Sequence, residues 1–146
     1  MSDNKAPNIP NHVFWFTWGF LLFAIAAYLF VLQANPPEVA EEESRPDKSF
    51  VRIVALVACG NLAISFAIRI LYTLRFARHE DPVKRAYVFT SCLISWALAE
   101  AVAIYGLILG LQGASVYDYG GFFLAGFSAL IFLIPSFALP GTNGID

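Results

Sequence analysis

Four long apolar runs, separated by polar segments, dominate the chain of 146 residues. A helix needs about 20 residues to cross a hydrocarbon core of roughly 30 Å, and apolar runs of about 18 or more indicate such helices. The pattern therefore predicts an all-α fold, a polytopic membrane protein with four transmembrane helices in a bundle that forms a single membrane domain over residues 1–146. The predicted helices span about residues 13–32, 51–74, 86–111 and 122–139.

The composition agrees with a membrane domain, because 58 % of the residues are hydrophobic and only 14 % are charged. A soluble domain would carry about 25 % charged residues. The charges concentrate between the apolar runs, with acidic residues in the loop 33–50 and basic residues in the turn 75–85. We expect the lipid bilayer and other membrane proteins as partners, and no nucleic acid.

The basic residues of the second turn predict the orientation of the chain, since short loops rich in lysine and arginine stay on the cytoplasmic side. These residues are Arg75, Arg78, Lys84 and Arg85. The acidic loop 33–50 and the connection 112–121 then face outward, and both termini are cytoplasmic. A basic cytoplasmic turn suits a bacterial inner membrane.

The first apolar run has one alternative interpretation, a cleaved signal peptide. Leu32-Gln-Ala34 is a passable cleavage site. However, the run exceeds the usual apolar stretch of about 7–15 residues, and few basic residues precede it. We therefore expect a transmembrane helix at 13–32.

One acidic residue, Glu100, lies near the middle of the third apolar run. Insertion scales place an acidic residue at the centre of a membrane helix at about +2.5 to +3.5 kcal/mol. Such a residue is usually held by a partner, kept neutral or used for transport. Desolvation favours the neutral acid, which is compatible both with a proton carrier and with a structural hydrogen bond. The residues alone leave both interpretations open.

The depth of Glu100 predicts its neighbours. The second and third helices are joined by a short turn centred near Glu80, so they should pack antiparallel. At about 1.5 Å per residue, Asn61 then lies at nearly the depth of Glu100 and is its best predicted hydrogen-bond partner. Arg69 lies about 12 Å closer to the cytoplasm, so we expect it to extend towards the headgroups, with an ion pair to Glu100 as the less favoured alternative. Further polar side chains near this level are Ser65, Ser95 and Tyr105.

Small residues recur at helical spacing on the second and third helices. They are Ala55, Cys59, Ala63 and Ala67 on the second, and Ala99, Ala103, Gly106 and Gly110 on the third. Stripes of small residues let membrane helices approach closely. Either they close the hairpin within the chain or they receive a neighbouring copy.

Two segments resemble a known family. They are Ala77-Arg-His-Glu-Asp-Pro82 in the turn and Ala97-Leu-Ala-Glu-Ala-Val-Ala-Ile-Tyr-Gly-Leu-Ile-Leu109 in the third helix. They resemble the proteolipid (c) subunit of rotary F-type and V-type ATPases. The resemblance implies that Glu100 is the ion-binding carboxylate, that Tyr105 lies beside it, and that Arg78 is the turn arginine. The second helix departs from the family, because it lacks a ladder of alternating glycines, and the family has no counterpart of the two flanking helices.

Two functions are compatible with these observations. The preferred one is a proteolipid-like membrane subunit in proton translocation, in which Glu100 binds the proton, Asn61 and Tyr105 tune it, and further copies or other subunits complete the path. The alternative is a non-catalytic accessory or scaffold subunit of a larger membrane complex, with Glu100 structural. We expect no stand-alone enzyme, cofactor or metal, because no catalytic motif is present and Cys59 and Cys92 lack metal-ligand spacing.

Overall fold

Every regular element in the described part of the chain is a helix. A computed structural model describes residues 9–35, 46–73 and 82–135, with the side chains of all of these except 72, 73 and 82–85. Within these ranges the prediction of an all-α fold is confirmed.

We number the helices of the described part in chain order. They are α1, Asn11–Ala34; α2, Lys48–Ile68, which continues as a π-helical turn over Arg69–Thr73; α3, Pro82–Leu111; and α4, Val116–Phe132. Three of them, α1, α2 and α3, are long and apolar enough to cross a membrane, as an integral membrane protein requires. At about 1.5 Å per residue the 17 residues of α4 extend only about 25 Å, less than a hydrocarbon core of about 30 Å. Three of the four predicted helices are therefore long and apolar enough to span, and a bundle of four spanning helices is not confirmed.

The segments between the predicted helices are shorter than expected. Residues 33–34 belong to α1 and residues 48–50 to α2, so only part of the acidic loop 33–50 separates the two helices. The backbone of Lys84 and Arg85 lies in the first turns of α3. Arg75 and Arg78 lie outside the described residues, and the cytoplasmic placement of their turn stays a prediction.

The connection from α3 to α4 is a tight turn. The N–H of Gly113 bonds the carbonyl of Gly110 at 3.0 Å, and the N–H of Ala114 bonds that of Leu109 at 3.0 Å. This pair of bonds is the Schellman motif, which needs a residue in the left-handed region after the helix. Gly113 fills that position with a φ of 78°.

The start of α4 differs from the prediction. The Ser115 hydroxyl oxygen accepts a hydrogen bond from the Asp118 N–H at 3.3 Å and donates to the Asp118 carboxylate at 2.6 Å. Serine at the N-cap with an acid three residues later satisfies free N–H groups at a helix start. The helix consequently begins at Val116, six residues before the predicted start at 122, and Gly120 and Gly121 lie within its second turn. Residues 136–139 of the predicted helix lie outside the described residues.

Helix α3 is the centre of the bundle, because α1, α2 and α4 all pack on it. Contacts near both ends of α1 show that it runs parallel to α3: the rings of Phe14 and Phe89 are 5.0 Å apart, and Leu32 lies against Gly110. Helices α2 and α4 run antiparallel to α3. Within the described residues α1 and α2 do not pack closely on each other, so one side of α3 between them stays open.

The stripe of small residues on α3 packs against other helices of the same chain. A Cβ atom placed on Gly126 of α4 would lie 2.9 Å from the carbonyl oxygen of Ala99, and one on Gly106 would lie 3.0 Å from the carbonyl oxygen of Tyr119. Such contacts mean that the backbones of α3 and α4 meet with no room for a side chain. The corresponding stripe on α2 points away, since Cys59, Ala63 and Ala67 are exposed.

Candidate functional site

The Glu100 carboxyl bridges α3 and α1 near mid-helix. The Tyr28 hydroxyl of α1 donates a hydrogen bond of 2.7 Å to Glu100 Oε1. Both side chains are half-buried. A phenol is therefore the immediate neighbour of the acid, and it comes from a helix that the resemblance to proteolipid subunits does not include.

The predicted hydrogen bond between Asn61 and Glu100 is not formed. Instead, Asn61 Nδ2 donates to the Tyr105 hydroxyl oxygen at 3.0 Å. Asn61 and Glu100 do lie at nearly the same depth. However, at about 100° per residue, Tyr105 lies about 140° around α3 from Glu100. Glu100 therefore faces α1 and Tyr105 faces α2. Helical side chains lean towards their own N-terminus, so Tyr105 reaches back and meets Asn61 from the antiparallel helix.

A second polar contact joins α2 and α3 deeper in their interface. The Ser65 hydroxyl donates to the Ser95 carbonyl at 2.8 Å, and the Ser95 hydroxyl donates to the Ser65 carbonyl at 3.2 Å. Both side chains are buried. This reciprocal pair fixes the antiparallel register of the two helices and confirms that they pack as predicted.

An exposed face of α3 lies between the Tyr28–Glu100 and the Asn61–Tyr105 hydrogen bonds. Around the helix axis, Ala97 and Ile108 lie about 60–80° from Glu100 on the side towards Tyr105. Ala97 and Ile108 are exposed. We call this region the α3 open face. Its floor is α3, its walls are α1 and α2, and Glu100 and Tyr105 lie at its two edges.

Arg69 does not extend towards the membrane surface as predicted. Its side chain is 9 % exposed, and Nη2 donates to the carbonyl of Ile134, just beyond α4, at 2.9 Å. The Cys92 thiol is a further hydrogen-bonding neighbour of the guanidinium. Arg69 also begins the π-helical turn of α2, a local widening that redirects side chains and often occurs at functional positions. The alternative of an Arg69–Glu100 ion pair is not formed.

The carboxyl end of α4 accepts hydrogen bonds from three other helices. Trp18 Nε1 of α1 donates to the Leu130 carbonyl at 2.8 Å, and Trp96 Nε1 of α3 donates to the Leu133 carbonyl at 3.0 Å. Arg69 supplies the third donor. The last carbonyls of a helix have no partner within it, and Pro135 has no N–H to offer. The cross-helix donors satisfy these groups.

Trp18 makes two kinds of contact. Its indole N–H bonds α4, while its ring packs edge-on against Trp15 with centroids 5.6 Å apart. Tyr28, Trp18 and Trp96 are the residues that sequence reasoning misses. A polar atom on an aromatic ring inside an apolar run is the signal that marks them, because such an atom needs a partner when buried.

The described residues offer no group of three histidine, cysteine or acidic side chains that could hold a metal ion. Comparisons of the chain with protein-family models, curated proteins and solved structures find no match. The likeness to proteolipid subunits stays a prediction. The hydrogen bonds of Glu100 and the open face beside it are therefore the basis for a functional proposal.

Proposed function

We propose that the protein is a non-catalytic accessory subunit of a larger membrane complex, and that its α3 open face receives a transmembrane helix of a partner subunit. The observation that supports this most directly is the 2.7 Å hydrogen bond from Tyr28 to Glu100. A carboxyl group at mid-membrane is costly when it lacks a partner. Here the chain supplies the partner itself, so Glu100 can serve as a link between α1 and α3.

The packing of α3 supports an accessory subunit over a rotor subunit. A closely packed ring of helical hairpins needs small residues at the contacts between copies. On α3 these residues are already occupied, since Gly106 meets α4 and Gly110 meets Leu32 of α1. In addition, α1 covers the side of α3 that carries Glu100. A neighbouring copy could not reach the same surface without displacing α1.

The chemistry of the open face indicates the kind of helix that fits. Its floor contains the small residues Ala97 and Ala101, which allow close approach. Its edges carry the half-buried Glu100 carboxyl and the half-buried Tyr105 phenol. The complementary surface is an apolar helix with a hydrogen-bond donor at the depth of Glu100, because a carboxylate accepts hydrogen bonds at both oxygens.

Proton translocation is the second candidate, favoured by the partial exposure of Glu100 beside the open face. An acid that borders such a face can exchange a proton with a group on the partner helix. Tyr28 would then steady the ionised form as a hydrogen-bond donor, and the Asn61–Tyr105 pair would bound the far side of the path.

The first test is the native mass of the protein after extraction in mild detergent. An accessory subunit gives one copy bound to unrelated membrane chains, a rotor gives a ring of identical copies, and a monomer contradicts both. Ala97→Trp should then release the partner chains because it fills the open face. Ala63→Trp is the matched control, since Ala63 is exposed on the far side of α2.

Glu100→Gln separates the two candidates. Glutamine still accepts the hydrogen bond from Tyr28 but cannot ionise. An accessory subunit keeps its partners and the complex keeps its activity. A proton carrier keeps its partners but loses proton uptake into vesicles that contain the purified complex.

A further inference from the structure

A groove of about 660 Å³ runs between α1 and α4, on a different side of the bundle from the open face. This volume lies within the range of about 300–1,000 Å³ that is typical of small-ligand sites. Its walls are mainly large apolar side chains. They include Ile25, Leu29 and Leu32 of α1, and Tyr119, Phe123 and Phe127 of α4.

The groove and a hydrogen bond between α1 and α4 lie at different levels of the two helices. The hydrogen bond from Trp18 to Leu130 joins the two helices at the carboxyl end of α4. From there the groove extends towards the end of α1 and the start of α4, reaching Gln33 and Val116. One end of the groove therefore coincides with the end of α1 and the start of α4.

The length of the groove matches half a bilayer. Its walls cover residues 25–33 of α1 and 116–127 of α4, which correspond to about 12–16 Å at 1.5 Å per residue. One leaflet contributes about 15 Å to a hydrocarbon core of about 30 Å. A transmembrane helix from another protein would cross both leaflets, whereas the lining of this groove ends at Ile25 and Phe127.

Polar groups are confined to the end of the groove beside Gln33 and Val116. Gln33 is exposed there, one residue before the end of α1, and the half-buried Tyr119 lies in the first turns of α4. Deeper positions such as Ile25 and Phe127 are apolar. The occupant must therefore be a long apolar chain about one leaflet in length, with a polar group at its outer end.

We propose that this groove binds one acyl chain of a phospholipid, with the headgroup beside Gln33 and Tyr119. The amide of Gln33 and the phenol of Tyr119 can hydrogen-bond the ester and phosphate oxygens of the lipid. The acyl chain fills the space between α1 and α4 beside Leu32, whose side chain packs on α3. The site is independent of the function proposed for Glu100.

Filling the groove tests the proposal. Gly120 lines it and has no atom within 4 Å of the position of an added Cβ, so Gly120→Leu should fold and occupy the space of the lipid chain. Ala26→Leu fills it from the opposite wall. Gly60→Leu is the matched control, because Gly60 is equally open but lies on α2, away from the groove.

The probe is a single phosphatidylcholine of known mass, added to delipidated protein in detergent and followed by native mass spectrometry. The parent protein and Gly60→Leu should retain one lipid, whereas Gly120→Leu and Ala26→Leu should bind it about tenfold or more weakly. Equal retention in all four proteins, or equal loss in the control, overturns the proposal. A dimer without lipid that only the groove variants abolish would also overturn it, by identifying a second copy as the occupant.

Discussion

Replacing Tyr28 with phenylalanine removes one hydroxyl group and tests the hydrogen bond on which the proposed function rests. The Tyr28 hydroxyl lies 2.7 Å from Glu100 Oε1, and no other hydrogen bond to this carboxyl is made within the described residues. The ring itself remains, so the change leaves the packing of α1 on α3 nearly intact. Any loss of stability therefore reports mainly on the hydrogen bond.

The expected loss depends on whether Glu100 is neutral or ionised. Hydrogen bonds between membrane helices contribute about 0.6 kcal/mol on average and up to about 1.7 kcal/mol. Hydrogen bonds to a charged group contribute about 1.5–3 kcal/mol. Tyr28→Phe should lower the free energy of unfolding by the first amount if Glu100 is the neutral acid and by the second if it is the carboxylate.

The measurement is the free energy of unfolding in mixed micelles, for which reversible two-state behaviour is checked first. Repeating Tyr28→Phe in the Glu100→Gln protein separates the two charge states. The cost should fall to the lower range if the parent carboxyl is ionised, and should stay unchanged if it is neutral. Tyr105→Phe provides a comparison with a neutral hydrogen bond, because it removes the hydroxyl that accepts from Asn61 on the opposite edge of the open face.

Two results would refute the reasoning. One is a cost of Tyr28→Phe below about 0.3 kcal/mol, which is within the usual error of additivity. The other is an undiminished cost in the Glu100→Ala protein, where no carboxyl remains to accept the bond. Either result would mean that the contact does not link α1 to α3, and the structural role of Glu100 would lose its support.

Five further substitutions, one of them a control, test the packing with the same unfolding assay. Gly126→Ala should lower stability by about 1–3 kcal/mol, because its Cβ would lie 2.9 Å from a backbone carbonyl oxygen of α3, whereas Gly60→Ala, in open space, should be neutral or stabilising. Trp96→Phe should cost about 1–3 kcal/mol and speed amide exchange at the end of α4, because a buried carbonyl loses its donor. Ser65→Ala and Ser95→Ala should each cost about 0.6 kcal/mol, and a stabilising effect of either would contradict the reciprocal pair.

The presence of these helices is predictable from the sequence because it depends on the mean hydropathy of a long run of residues. Helices α1, α2 and α3 each lie within a few residues of their predicted bounds. The ends are less predictable, since they depend on individual hydrogen bonds. Ser115 and Asp118 carry a capping pattern that sequence alone can show, but the glycines at 120 and 121 suggest a later start.

Depth is also predictable, but direction around a helix is not. Counting from the turn places Asn61 near the level of Glu100, as the structure has it. It does not show that Glu100 faces α1, because that depends on which helix packs against which side of α3. The partner, Tyr28, lies 72 positions away in the chain and becomes a neighbour only through the parallel packing of α1 on α3.

The end of α4 explains why an arginine is present in an apolar helix. With 17 residues, α4 is shorter than a hydrocarbon core is thick, and its last carbonyls need donors from outside the helix. Arg69 meets this requirement with a bond to Ile134, and its positive charge lies at the negative end of the α4 dipole.

Arg69 and Glu100 are therefore each held by a helix contact of their own: Arg69 by the end of α4, and Glu100 by Tyr28 of α1. If Glu100 were a mobile proton site discharged by Arg69, the two would have to approach each other, and Arg69 would have to leave α4 uncapped. The fold separates the two charges and uses both to fasten helices to the core of the bundle. That separation favours an accessory subunit, and it leaves any proton exchange at Glu100 to a group on the partner helix.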